Sequence, residues 1–208
     1  MYVPPAFAVD SPEAIRSLIS TYSFATLVSQ GPGGLMATHV PVLLEPERGP
    51  QGTLVTHLAG VNPHAKAMEG ADMLAIFHGP HGYVSPSLYT THPSVPTWNY
   101  AAVHVYGRAR LVTEPRALRA MLEALVSHHE GGREAPWSMA GLADGYVDGM
   151  LRRIVGVEIE ISRIESKHKL SQNRSHADRK QVTETLNASA LAHERELGAY
   201  MNQHAPVS

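Results

Sequence analysis

The stretch Ala75–Gly107, AIFHGPHGYVSPSLYTTHPSVPTWNYAAVHVYG, decides the reading of this chain. Strand-like apolar runs stand at either end, and prolines, six aromatic rings and four histidines (His78, His81, His92, His104) crowd between them. Loops held by a scaffold are where binding groups concentrate, and flat rings with polar edges suit a planar ligand. The segment reads as one wall of a pocket the size of a flavin. Met73 to His78 forms the strand entering it. Val103 to Val112 forms the strand leaving it, with Val105, Gly107, Ala109 and Leu111 on one face and His104, Tyr106, Arg108 and Arg110 on the other.

Outward from this stretch, Ser11-Pro12-Glu13 opens a helix: a hydroxyl cap, a proline at the first helical position, then an acid at the positive dipole end. Phe24 to Ser29 and Leu35 to Leu44 read as strands around the turn Gly31-Pro32-Gly33-Gly34, and Thr53 to Leu58 as a third. Asn62-Pro63 opens a short helix toward Glu69, and Thr113-Glu114-Pro115 caps a longer one with the stripe Leu118, Met121, Leu122 and Leu125. A helical piece is expected near Tyr146–Arg153, a last strand at Val157–Ile161, and helix from His176 to the C-terminus with Ser175 as cap. Strands that do not alternate regularly with long helices argue for an α+β protein on an antiparallel sheet or barrel. One domain over residues 1–208 is expected, with 175–208 as a helical appendage.

The bulk numbers exclude several classes. In 208 residues, 43% are hydrophobic and 17% charged, which is globular composition. A net charge of −2 gives no overall pull toward nucleic acid. No apolar run reaches the ~20 residues a membrane helix needs, and MYVPPAFAVD lacks the pattern of a signal peptide. A cytoplasmic protein with no membrane partner is the expectation. Without cysteine there is no disulfide, thiolate metal site or cysteine nucleophile. His78-Gly79-Pro80-His81 offers two imidazoles, but no carboxylate close by in sequence, so no metal site is assigned.

Three constellations carry chemistry. The strand Thr56-His57-Leu58 runs into Asn62-Pro63-His64-Ala65-Lys66, where free backbone N–H groups, a dipole end and a lysine suit a phosphate monoester. Spacing alone favours an ordinary cap and a solvated lysine, since caps of this kind are common. Trp98 can cover a ring system and Asn99 can meet a heterocycle edge, though Trp98 also reads as core. Residues 163–180 hold six Lys or Arg against two acids, and Lys169, Ser171 and Gln172 add short donors. That stretch could be a binding surface or a solvated face.

Taken together, MYVPPAF, ATHVPVLL, GTLVTHLAGVNPHAK, AIFHGPHGYVSPSLY, VPTWNYAAVHVYG and KHKLSQNRS strongly resemble the PaiB family of FMN-binding negative transcriptional regulators. These proteins are themselves similar to the pyridoxamine-phosphate-oxidase-like split barrels. The resemblance implies a six-stranded antiparallel FMN-binding split barrel with peripheral helices, dimerised so that two flavin sites lie at the subunit interface. It places Thr38, His39 and Val40 along the flavin ring with His57 and Leu58 beside it, and Asn62 and Lys66 at the phosphate. Trp98 and Asn99 come from the partner subunit or the barrel rim, and Lys169, Ser171 and Gln172 close the site. The related oxidases surround the phosphate with several Arg and Lys, whereas this junction offers Lys66 with His57 and His64 nearby, so weaker binding is expected. DNA is a partner by resemblance only. A flavin-dependent oxidoreductase using NADH or NADPH is the alternative function, and a haem-binding or haem-degrading split barrel a more distant one.

Overall fold

The computed structural model describes residues 1–205; the last residues of the expected C-terminal helix, 206–208, lie outside the described residues. Seven strands form one sheet in the order β2-β1-β5-β6-β7-β4-β3. They are β1 (Phe24–Gly31), β2 (Gly34–Pro41), β3 (Leu43–Glu45), β4 (Thr53–Ala59), β5 (Asp72–Val84), β6 (Thr97–Val112) and β7 (Ile154–Lys169). The helices are α1 (Pro12–Thr21), α2 (Pro63–Met68), α3 (Pro115–Glu130), α4 (Asp144–Leu151), α5 (His176–Asn187) and α6 (Ala192–His204). No described helix is long and apolar enough to cross a membrane.

Contacts divide the chain into two compact units. The first, the barrel unit, comprises Ile19–Phe77 and His104–Ile164. In it β1 pairs antiparallel with β2, from Phe24↔Pro41 to Gly31↔Gly34, and with β5. β4 pairs antiparallel with β3 and with β7. The strands at the two ends of the sheet, β2 and β3, are consecutive in sequence and separated by Val42 alone. One bent strand therefore serves both margins, and the sheet must curl to meet itself. Thr56 Oγ1 in β4 donates to Pro41 O in β2 at 2.6 Å across the closure. Leu35–Leu44, expected as one strand, is thus two. Pro41 has no N–H to continue a ladder, and Val42, 1% exposed, turns inward. Counting the bent strand once gives the six of the split barrel; counting its segments gives seven.

The barrel core contains Leu27, Val40, Leu54, Ala75 and Val157, all buried. On its outside α3 packs Met121 and Leu125 against Val55 and Val112. Gly156 admits that helix, because a Cβ there would lie 3.0 Å from Met121 Sδ and 3.1 Å from Leu118 Cδ1. Glu114, not Thr113, caps α3: its carboxylate accepts from Arg116 N and Ala117 N. Glu158, 9% exposed, is paired with both Arg48 and Arg110.

The second, helix-backed unit comprises Met1–Leu18, His78–Val103 and the chain from Glu165 on. The ends of β5, β6 and β7 run through it, longer than their sequence patterns suggest, and α6 lies on one side of them. A Cβ at Gly82 would stand 2.9 Å from Leu197 Cδ2 of α6, and Asn99 Nδ2 lies 3.5 Å from Met201 Sδ. The expected single C-terminal helix is two, α5 and α6; Ser189 interrupts them, its Oγ accepting from Leu191 N. Ser175 caps α5 through Asp178 N at 3.1 Å, and Asp178 accepts from Thr90 N and Oγ1, which ties down the 85–96 loop.

Candidate functional site

β4 leads through Gly60 and Val61 into α2. Asn62 Oδ1 accepts from His64 N at 2.9 Å, so the predicted cap forms. His64 is 1% exposed. Its Nδ1 lies 2.8 Å from Thr38 Oγ1 and its Nε2 2.9 Å from Ser29 Oγ. Burial lowers its proton affinity, which favours the neutral ring. A neutral imidazole has one donor and one acceptor nitrogen, so one hydroxyl donates to it and the other accepts. Thr38 is therefore occupied in tying β1, β2 and α2 into one rigid corner. His64 is the residue of this corner that the sequence did not assign, since nothing in a Pro-His-Ala-Lys run distinguishes a buried imidazole from a solvated one.

Lys66 is exposed, and no described group pairs with it. It is the charged member of a recess of about 440 Å³ lined otherwise by Pro32, Gly33, Leu35, Met36, Pro63 and Ala67. The volume falls within the ~300–1,000 Å³ range of small-molecule sites.

Strand alternation separates the other barrel residues of the predicted set. On β2, Val40 points into the core, while His39 points outward, 2.9 Å from Thr26 Oγ1 and stacked on Phe24 with centroids 6.4 Å apart. On β4, Leu58 is 3% exposed on one face and His57 lies on the other, opposite Gly156 of β7. His57 is half-buried, and burial lowers its proton affinity. Its Nδ1 is buried without a hydrogen-bond partner among the described residues.

The remaining predicted residues belong to the helix-backed unit. Trp98 and Asn99, expected in a loop ahead of the strand, lie within β6. Asn99 is 1% exposed and donates to Ser171 Oγ at 2.9 Å. Ser171 takes the left-handed backbone (φ 65°) in the turn after β7. Gln172 Oε1 accepts from Leu170 N, and Gln172 Nε2 donates to His168 O, closing the same turn. These three side chains hold the turn together. Lys169 donates to Thr97 Oγ1 and to Trp98 O. Its pKa is pushed down by burial first, then by Lys167 and Arg174. Trp98 stays half exposed, with the His81 and Tyr83 rings against it. His168, by contrast, is buried, 3.3 Å from Tyr200 OH.

A closed antiparallel barrel whose β4 runs into a short capped helix defines the class of flavin-binding split barrels. Solved structures with this fold include the FAD and haem binding protein from Mycobacterium smegmatis (TM-score 0.59, 18% identity, 77% of this chain and 72% of that one). The flavocytochrome Anf3 from Azotobacter vinelandii also matches (TM-score 0.59, 16% identity, 78% and 69%). Residues 1–163 match the family model described as "Putative FMN-binding domain". The chain is 35% identical over 187 residues to the "Protease synthase and sporulation protein PAI 2" of Bacillus subtilis, covering 89% of each. It belongs to the PaiB family of FMN-binding split-barrel proteins.

The residues present suit FMN on two counts independent of family. Lys66, without a partner among the described residues, is the cation of an otherwise uncharged recess, and His57 Nδ1, which does not line that recess, is a buried nitrogen without a hydrogen-bond partner among the described residues.

Proposed function

We propose that the chain is an FMN-binding regulator of the PaiB type, working as a homodimer, with the flavin phosphate at Asn62 and Lys66. The unpaired ammonium of Lys66 beside the apolar recess carries this reading. Bound FMN supplies redox chemistry of its own, and the protein supplies position and polarity. Of the residues that the resemblance sets along the ring, Thr38 is held by His64, and Val40 and Leu58 are buried in the barrel, so the outward-facing His39 and His57 are the ones that would meet the flavin.

Titration of the purified protein with FMN, followed by flavin fluorescence, tests this. Replacing a charge-assisted contact to phosphate costs about 1.5–3 kcal/mol, so Lys66→Ala should weaken FMN binding by about tenfold or more. Riboflavin, which has no phosphate, should bind both proteins alike. Equal FMN affinity in the two would refute the phosphate assignment. The regulatory half predicts specific DNA binding that weakens steeply as salt rises; no binding at low salt would end direct repression.

The neutral, unpartnered His57 favours a second reading, a flavin-dependent oxidoreductase in which that imidazole holds a proton near the ring. Bleaching of the bound flavin by NADH or NADPH would favour it; a flavin inert to both would exclude it.

A further inference from the structure

We propose that the recess between α3 and the segment leading into α4 binds a small organic cation, an ammonium group carried on an aromatic or short alkyl body. That recess shares no residue with the flavin site proposed above.

The recess lies wholly within the barrel unit and measures about 520 Å³, inside the ~300–1,000 Å³ range of small-molecule sites. On one side it is walled by a stripe of α3, Arg119, Glu123, Ser127 and Glu130, distinct from the Met121 and Leu125 stripe that packs on the sheet. The opposite wall is anchored at several points. Met139 and Leu142 pack against the buried cluster of Leu118, Val147 and Leu151. Trp137 N donates to Glu130 Oε2 at 3.0 Å, and Arg119 donates to Asp144 Oδ1 at 3.2 Å from Nη2 and 3.4 Å from Nη1. These bonds tie both ends of the segment to α3. Between them the Trp137 side chain, 51% exposed, and Val126 give the recess an aromatic and aliphatic lining. The face of an indole ring attracts both other rings and cations.

The electrostatics choose the sign of the ligand. Arg119 is engaged by Asp144, and Glu130 by Arg133 at 3.2 Å, so those charges balance in pairs. Glu123 is left over. Its carboxylate lies 3.9 Å from Arg119 Nε, beyond hydrogen-bond reach, and accepts no hydrogen bond among the described residues. Ser127, Glu130 and Gly131 bring the C-terminal end of α3 into the same recess, and that end carries the negative pole of the helix dipole. An anion here would be repelled by both the carboxylate and the helix end, and the one guanidinium that could hold it is already taken. A neutral ring would use the indole and leave Glu123 unanswered. An ammonium against Glu123, with its apolar body on Trp137, answers both.

The chain has two tryptophans, so Trp98→Phe leaves Trp137 as the reporter. The full-length Trp98→Phe protein is titrated with phenethylamine, with phenethyl alcohol and phenylacetate as neutral and anionic probes of similar shape. The expected result is a saturable change in Trp137 fluorescence with the amine, binding about fivefold weaker for the alcohol, and weaker still for phenylacetate. Glu123→Gln, made at an exposed helix position, should raise the amine's dissociation constant about threefold and leave the alcohol's unchanged. The unchanged alcohol would show that the recess itself is intact. Added salt should weaken the amine and spare the alcohol. No saturable response at millimolar amine would overturn the proposal, as would equal affinity for the three probes or an amine titration indifferent to Glu123→Gln.

Discussion

Acid should weaken this protein through His168. Its ring is 3% exposed, its Nε2 lies 3.3 Å from the Tyr200 hydroxyl, and the His204 ring is 5.6 Å away. Burial first, and the neighbouring His204 second, pull its pKa from 6.5 to about 4. Burial holds Tyr200 protonated, its pKa pushed up to about 12, so no phenolate is there to stabilise an imidazolium. As pH falls below 6.5 the unfolded chain takes a proton at this position and the folded one refuses it until about 4. Stability is therefore full above 6.5, lost across that window, and flat below it. About 2.5 pH units at ~1.4 kcal/mol each set a ceiling near 3.4 kcal/mol. Partial solvent screening brings the expected loss to about 2 kcal/mol. Urea unfolding of the wild type and of His168→Gln, compared between about pH 7 and about pH 4.5, isolates this contribution. The wild type should lose about 2 kcal/mol more than the variant over that range. Parallel pH profiles for the two proteins would refute the reasoning.

Two further perturbations test the barrel. His64→Ala strands the hydroxyls of Ser29 and Thr38 and opens a cavity; the cost in urea unfolding should be about 3 kcal/mol, and a loss below ~1 would mean the corner is not rigid. Gly107→Ala places a Cβ 2.2 Å from Glu160 O, a backbone atom that cannot swing aside. It should destabilise by about 3 kcal/mol, read as a lowered denaturation midpoint; a neutral effect would show that β6 and β7 separate freely.

How much of this was legible in the chain differs between the two units. In the barrel unit the strands mostly alternate a buried apolar row with an outward one, as Ala25 and Leu27 with Thr26 on β1, and period-two reading finds them, although β1 also buries Ser29 and exposes Phe24. Caps announce themselves through Asn62-Pro63 and Glu114-Pro115. In the helix-backed unit the polarity inverts: β6 buries Asn99 and exposes Trp98, and β7 buries Ser166, Lys167 and His168. A pattern search reads such segments as loop, which is why β6 and β7 extend beyond their expected ends. Gly79 and Gly82 mislead in the same way, because they look like turn residues. Each instead clears space, Gly79 for Ala101, whose Cβ would be 3.1 Å from an added one, and Gly82 for Leu197. Of the predicted site, Asn62 was readable as a cap. Hydrogen bonds that consume Asn99 and Ser171 were not, because their partners lie 72 or 102 residues away. Local rules fail where a chain puts rings outside and amides inside, and such failures concentrate at functional surfaces.

The bend at Val42 has a consequence for how the molecule avoids its own copies. An open sheet presents two ladders of unpaired N–H and C=O groups that invite further strands, the route to fibrous aggregation. Here both potential docking rails belong to one folded ribbon, and Pro41 removes a donor at its crease. Loosening that single crease would bare both rails together, so guarding against strand addition and keeping the cylinder shut are the same task for this chain.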